Sequence, residues 1–185
     1  MVLTKTPICD FGKKALNFNL KSIKNNTVKL EDIRGVNGTL IMFICNHCPY
    51  VKAIIKDLVK DCENLKKVGV NSVAIMSNDT TNYPEDSFEN MIKFAEENNF
   101  GEIEYLIDET QEVAKKYGAV CTPDFFGYNK DLELQYRGRI RELKDLMPIS
   151  EGESDLNLAM KLIAKTHKGP SKQVPSMGCN IKWIK

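Results

Sequence analysis

Leu40-Ile41-Met42-Phe43-Ile44-Cys45-Asn46-His47-Cys48-Pro49 is the stretch from which the fold of this chain can be read. Thr39 to Ile44 is an apolar run with the length of a buried central strand. Pro49 follows where a helix starts, because its missing N–H costs nothing in a first turn. Beyond it Val51, Ile54, Ile55, Leu58, Cys62 and Leu65 recur at three- and four-residue steps, which predicts one buried helical face. Two thiols two residues apart at such a strand-to-helix junction form a dithiol/disulfide switch.

Working outward, Leu16 to Ile23 and Thr27 to Leu30 read as short strands joined near Asn25-Asn26. Gly69 ends the helix, and Asn71 to Met76 is the next strand. Asp86-Ser87-Phe88-Glu89 has capping-box spacing and opens a second helix towards Asn98. Tyr105 to Ile107 is a strand. Asp108 or Thr110 caps a brief helix carrying Val113, Ala114 and Tyr117, stopped by Gly118. Asp124 to Tyr128 and Leu132 to Arg137 form a hairpin turning at Asn129-Lys130-Asp131, and Ser154 caps a last helix through Lys165. The tail from Lys168, with Gly169, Pro170, Pro175 and Gly178, is expected to be irregular. The division is an N-terminal segment over 1–14, a domain over 15–167 and an irregular tail over 168–185. Strands that alternate with helices and close on a hairpin and helix suit an α/β fold, a mixed sheet flanked by helices.

The 185 residues suffice for one domain with a real core, at 42% hydrophobic and 28% charged. A net charge of +1 points to no nucleic-acid partner, and the apolar runs are too short to span a bilayer. No apolar leader core is visible at the start, so the expected location is cytoplasmic, with thiols mostly reduced. The chain has six cysteines, spread along it rather than packed into a small secreted framework.

The attacking species in disulfide exchange is a thiolate. Bringing a thiol from its ordinary pKa to near 7 takes roughly 2 kcal/mol, whereas a helix N-terminus supplies ~0.3–1 kcal/mol, or ~2 when partly buried. First-turn N–H donors and a protonated His47 are expected to supply the rest. Cys45, ahead of the helix, is assigned as the exposed nucleophile, and Cys48, in the first turn, as the thiol that resolves the mixed disulfide. The alternative for His47 is a solvated histidine in a turn. A C-x-x-C is also half of a zinc site, but no second C-x-x-C and no His pair at ligand spacing exists here, so no metal or cofactor is expected.

Of the other cysteines, Cys62 falls on the apolar helix face and reads as core, and Cys9 is given no role. Cys121 precedes Thr122-Pro123, an X-Pro step that can be cis. Cys179 is either an inert thiol or one that a flexible tail carries to the dithiol.

With these segments in view, the chain resembles the thioredoxin-like superfamily. More closely, it is similar to peroxiredoxin-like proteins of the AhpC/TSA type that carry a thioredoxin-style C-x-x-C. The resemblance rests on residues 43–52, Asn78-Asp79 with Tyr83-Pro84-Glu85-Asp86, Asp108-Glu109-Thr110-Gln111, Cys121-Thr122-Pro123-Asp124-Phe125-Phe126 and Gly178-Cys179-Asn180-Ile181-Lys182-Trp183. It implies a thioredoxin-like fold with an N-terminal β extension. It makes Pro123 a cis-proline facing the dithiol and puts Cys121 near Cys45 and Cys48. The peroxiredoxin pattern Pro-x-x-x-Thr/Ser-x-x-Cys is not kept: with Cys48 in the peroxidatic position, Cys45 stands for the hydroxyl and Ile41 for the proline. Arg137 or Arg139 would be the cation of such a site, or else ordinary surface arginines. Arg141-Glu142 stands where relatives carry two acids.

The expected activity is thiol-disulfide exchange with a disulfide-containing protein or a small thiol or disulfide, its extended segment aligned by the backbone of Thr122 and Pro123. A potential less negative than the ~−270 mV of thioredoxin is expected from His47. Alternatives are a thiol peroxidase acting on peroxide, and a soft zinc or copper site built from Cys45, Cys48, Cys121 and Cys179.

Overall fold

A computed structural model describes residues 2–7 and 10–185, so Cys9 lies outside the described residues. Seven strands form the main sheet: β2 (Asn19–Ser22), β3 (Thr27–Lys29), β4 (Gly38–Phe43), β5 (Val70–Met76), β6 (Glu104–Ile107), β8 (Asp124–Asn129) and β9 (Leu134–Tyr136). Their spatial order is β3-β2-β6-β5-β4-β8-β9. β4, β5 and β6 run parallel, β2 and β8 flank them antiparallel, and the edge strands β3 and β9 pair antiparallel with β2 and β8, so the sheet is mixed.

The helices are α1 (Pro49–Lys66), α2 (Phe88–Glu97), α3 (Glu112–Tyr117) and α4 (Asp155–Thr166). Both faces of the sheet are covered, which is why β4 is buried at every position. Leu40, Met42 and Ile44 enter one core with Ile54, Leu58 and Met160; Ile41 and Phe43 enter the other with Ile75, Phe126 and Ala114. α4 is tied to α1 through Asp61, which accepts hydrogen bonds from Ser154 and Asn157. Among the described residues no helix is long and apolar enough to cross a membrane.

Most expected elements stand within a residue or two of their predicted ends, and three readings need correction. Asp86 does not cap α2. Ser87 does, accepting from the Asn90 amide, while Asp86 closes a short 3-10 turn and points inward. α3 starts after Gln111 in the left-handed region, and Asp108 accepts from the amides of Val113 and Ala114 from one turn outside.

The third correction concerns the two ends. The tail is not irregular throughout: β12 (Met177–Asn180) lies between β1 (Leu3–Lys5) and β7 (Cys121–Thr122) in a second, three-stranded sheet. Gly178 lets β12 in, since a Cβ there would meet the Thr122 carbonyl oxygen at 2.1 Å. A minor hairpin, β10 (Leu143–Lys144) with β11 (Met147–Pro148), follows the Arg141-Glu142 pair.

Candidate functional site

β4 ends at Phe43, and α1 begins at Pro49 with Cys48 as its N-cap residue. The intervening turn is held by one carboxylate. The Asn46 and His47 amides both donate to Asp86 Oδ1, at 2.8 and 3.2 Å. Asp86 Oδ2 lies 2.7 Å from His47 Nδ1 and accepts from Asn78 Nδ2 at 2.8 Å. Asn46 is fixed from its other end, accepting from the Tyr105 hydroxyl at 2.9 Å. The His47 ring stacks on Tyr83 at 5.7 Å between centroids. Burial pushes Asp86 up, but the hydrogen bonds from His47, Asn78 and the Asn46 amide outweigh it and hold its carboxyl below the usual range. The same Asp86 bond raises His47 against the opposing effect of burial.

The other wall of the site is β7 and the residue after it. The Thr122–Pro123 peptide is cis. The Thr122 hydroxyl lies 3.3 Å from Cys45 Sγ, and its carbonyl oxygen lies 3.1 Å from Cys48 Sγ. From the side of the tail, Cys179 Sγ stands 3.0 Å from Cys48 Sγ. The tail itself is anchored beyond β12. The Lys182 amide donates to Asn78 Oδ1 at 2.9 Å, Gln111 Nε2 donates to the Lys182 carbonyl at 2.7 Å, and Lys115 Nζ sits 5.6 Å from the centre of the Trp183 ring.

Two parts of the sequence assignment change here. Cys45 is not exposed; it is 1% accessible, and Cys48 is 0%. The electrostatics also favour Cys48 over Cys45 as the anion. Hydrogen bonding from Cys45 and Cys179, with the backbone amides of Val51 and Cys179, outweighs burial and brings Cys48 down to about 5. Cys45 is pushed the other way, by its bond to Cys48, by burial and by the facing Asp86 carboxylate. The first-turn amide of Val51 adds to this at residue 48, after the hydrogen bonds of the neighbouring thiols.

One edge of β7 at Thr122 is already taken. β12 is already paired with β7, Cys179 opposite Thr122 and Asn180 opposite Cys121. An extended substrate laid along that edge would meet the chain's own tail. Cys121 is buried, its thiol pushed up by burial and donating to the Pro123 carbonyl at 3.5 Å.

The four thiols do not gather as a soft metal site. Among the described residues, the donor atoms of Cys45, His47 and Asp86 lie within 4.8 Å of one another, a group without Cys48, Cys121 or Cys179.

The arginines are structural. Arg137 is buried, not on the surface; it pairs with Asp124 at 2.9 Å, donates to the Gly118 carbonyl at 2.7 Å and lies over Phe126. Arg139 pairs with Asp155 and Glu142, and Arg141 with Asp57.

Sequence reasoning missed Asp86, Asn46, Tyr105 and Lys182. Asp86, Asn46 and Lys182 stand in motifs that carried the resemblance, but the sequence assigned them no place at the site. The neighbourhood of Cys179 was visible only as an option.

The AhpC/TSA family profile matches residues 11–143. An uncharacterized conserved protein from Geobacillus kaustophilus superposes with a TM-score of 0.94 and 43% identity, over 100% of this chain and 97% of that one. A hypothetical protein from Sinorhizobium meliloti 1021, SMc02350, gives 0.90 and 34% over 98% of each chain. The thioredoxin domain of thiol-disulfide oxidoreductase BVU-2223 from Bacteroides vulgatus gives 0.59 and 18% over 70% of this chain and 89% of its own. That likeness shows a shared thioredoxin-like fold. A comparison with curated proteins finds no match.

Proposed function

Because the chain belongs to the AhpC/TSA family, we propose that it is a thiol-disulfide oxidoreductase working through a Cys45/Cys48 dithiol-disulfide switch. One observation carries this reading. Cys48 is the N-cap residue of α1, its sulfur 3.0 Å from that of Cys179, and hydrogen bonding to Cys45 and Cys179 brings it down to about 5, which supports reading it as the attacking thiolate. The Cys48 thiolate attacks one sulfur of a substrate disulfide and expels the other as a thiolate, which takes a proton. Cys45 then attacks Cys48 Sγ and releases the second substrate thiol, leaving a Cys45–Cys48 disulfide. Loss of the Cys48 anion on forming the mixed disulfide removes the main cause that keeps Cys45 protonated. Asp86 and His47 act by positioning: they fix the turn that carries both sulfurs.

His47, Pro49 and Tyr50, next to the buried sulfurs in sequence, are each half-buried. Beside Tyr50 and Pro123 lies a cleft of about 300 Å³ that also takes in Lys5, Arg139 and Met177. Insulin reduction with dithiothreitol is the direct assay. Wild type is expected to accelerate it and Cys48→Ser to be inactive; equal rates for the two would refute the reading.

Burial of both sulfurs favours a second reading, a thiol peroxidase, since a peroxide is small enough for so closed a site. In that case the Cys48 thiolate displaces one peroxide oxygen, becomes a sulfenic acid and releases an alcohol or water once the leaving oxygen is protonated. Against it, the described hydrogen bonds and ion pairs of Arg137 and Arg139 go elsewhere than to the thiols. Stopped-flow peroxide consumption separates the two readings. A second-order rate no faster than that of a free thiol excludes the peroxidase.

A further inference from the structure

β12 puts a third sulfur on the reacting one. The strand runs antiparallel to β7 with Cys179 opposite Thr122, and Gly178 allows the backbone approach that a side chain would block. Its position is fixed on both sides. Upstream, the Ser176 hydroxyl donates to the Pro123 carbonyl at 2.8 Å. Downstream, Asn78 and Gln111 hold the Lys182 main chain, and the Ile184 amide donates to Gln111 Oε1 at 2.8 Å. Cys179 is therefore a buried part of the fold, 1% exposed, rather than a thiol on a loose end. Closing its 3.0 Å separation from Cys48 to a disulfide bond takes about 1 Å of movement.

We infer that Cys179 is a second resolving thiol, able to attack Cys48 Sγ in a mixed disulfide and so bond the C-terminal strand to the start of α1. The inference rests on the reading that Cys48 is the attacking thiolate. The oxidant is the disulfide substrate itself. Cys48–S⁻ and R–S–S–R give Cys48–S–S–R and RS⁻. The Cys179 proton passes to that RS⁻, the Cys179 sulfur attacks Cys48 Sγ, and the second RS⁻ leaves. Two protein sulfurs give up two electrons in all, and the substrate disulfide takes both.

The surroundings of the two candidate resolvers differ in a way that favours Cys179. Burial, then the hydrogen bond and charge of Cys48, push the Cys179 thiol up to about 12, while the Lys182 ammonium acts in the opposite sense. Once Cys48 is in a mixed disulfide, its charge is gone and Lys182 remains. Cys45 keeps the Asp86 carboxylate facing it. Thiol-disulfide exchange needs the attacker as its anion, and the Lys182 charge favours that anion at Cys179.

Bis(2-hydroxyethyl) disulfide is a suitable probe, with released mercaptoethanol counted and acid-quenched peptides mapped by mass spectrometry. Cys45→Ser is expected to release two thiols per chain and to yield a Cys48–Cys179 linked peptide. Cys45→Ser/Cys179→Ser is expected to release one and to stop with the probe on Cys48, a two-fold difference. Cys45→Ala replaces the serine variant if circular dichroism shows that it has not folded. If Cys45→Ser alone stops with the probe on Cys48, Cys179 does not resolve and the inference falls, while Cys48 keeps its role. If the double variant takes no probe on Cys48, the reading beneath it fails as well.

Discussion

The turn at residues 45–48 and the strand β12 both close on Thr122 and Pro123, and they are held there by opposite means. The turn hangs on one carboxylate, with four hydrogen bonds from three residues converging on Asp86. β12 is held by main-chain pairing to β1 and β7 and by side chains that each contribute a bond or two. A concentrated hold fails when its centre is removed; a distributed one survives the loss of any single side chain and fails only when its backbone is pushed away.

The largest effect is expected from Asp86→Ala. It leaves two amides and the Asn78 side chain without their acceptor and His47 without its partner, which should cost roughly 3–5 kcal/mol. Chemical denaturation measures this, and a loss below about 1 kcal/mol would show that the turn has other support. Next comes Gly178→Val, whose side chain collides with Thr122 main chain and should cost roughly 3 kcal/mol. It should also raise alkylation of Cys179 by unsealing β12. Unchanged stability and unchanged alkylation together would contradict the distributed hold.

Charge gives the third comparison, smaller than either substitution. Asp86 is lowered in the folded state, so its contribution is present above the ordinary carboxylate pKa of about 4 and lost as pH falls through the lower folded value. His47 is raised, so its contribution is complete below about 6.5 and lost as pH rises through the higher folded value. The pair therefore stabilises most between about pH 4 and 6.5. Asp86→Asn should remove the losses of stability on either side of that window; parallel wild-type and variant profiles would dismiss the coupling. The Cys48 thiolate adds its own signature, with alkylation of that sulfur expected to rise through a midpoint near pH 5. A midpoint above 8 would return the anion to an ordinary thiol. The smallest expected change is for Ser176→Ala, about 1 kcal/mol for one hydrogen bond, with Cys179 alkylation unaltered.

The same contrast separates what could be read from the chain and what could not. β4, the cysteine pair and α1 are legible because the signals are local: an apolar run, a proline at the helix start and a periodic apolar face. The Ser154 cap and the β8–β9 hairpin are legible for the same reason. Met177–Asn180 has no alternation and few strand-forming residues, so its strand state comes from partners far along the chain. Asp86 lies one residue from a true cap, and its spacing fits a capping box, but its carboxylate reaches back to the turn before α1. The helix begins at Pro49 as the sequence reads it, but which sulfur is lowered depends on hydrogen bonds among Cys45, Cys48 and Cys179, and Cys179 lies far along the chain.

The Trp183 ring under Lys115 gives this architecture an optical gauge. It is the chain's one tryptophan, it follows directly on the Lys182 anchor, and it is 38% exposed. Its emission colour and lifetime should therefore follow how firmly the end of the chain is seated. Redox changes at the buried sulfurs that strain this seating could then be watched in real time without attaching a dye.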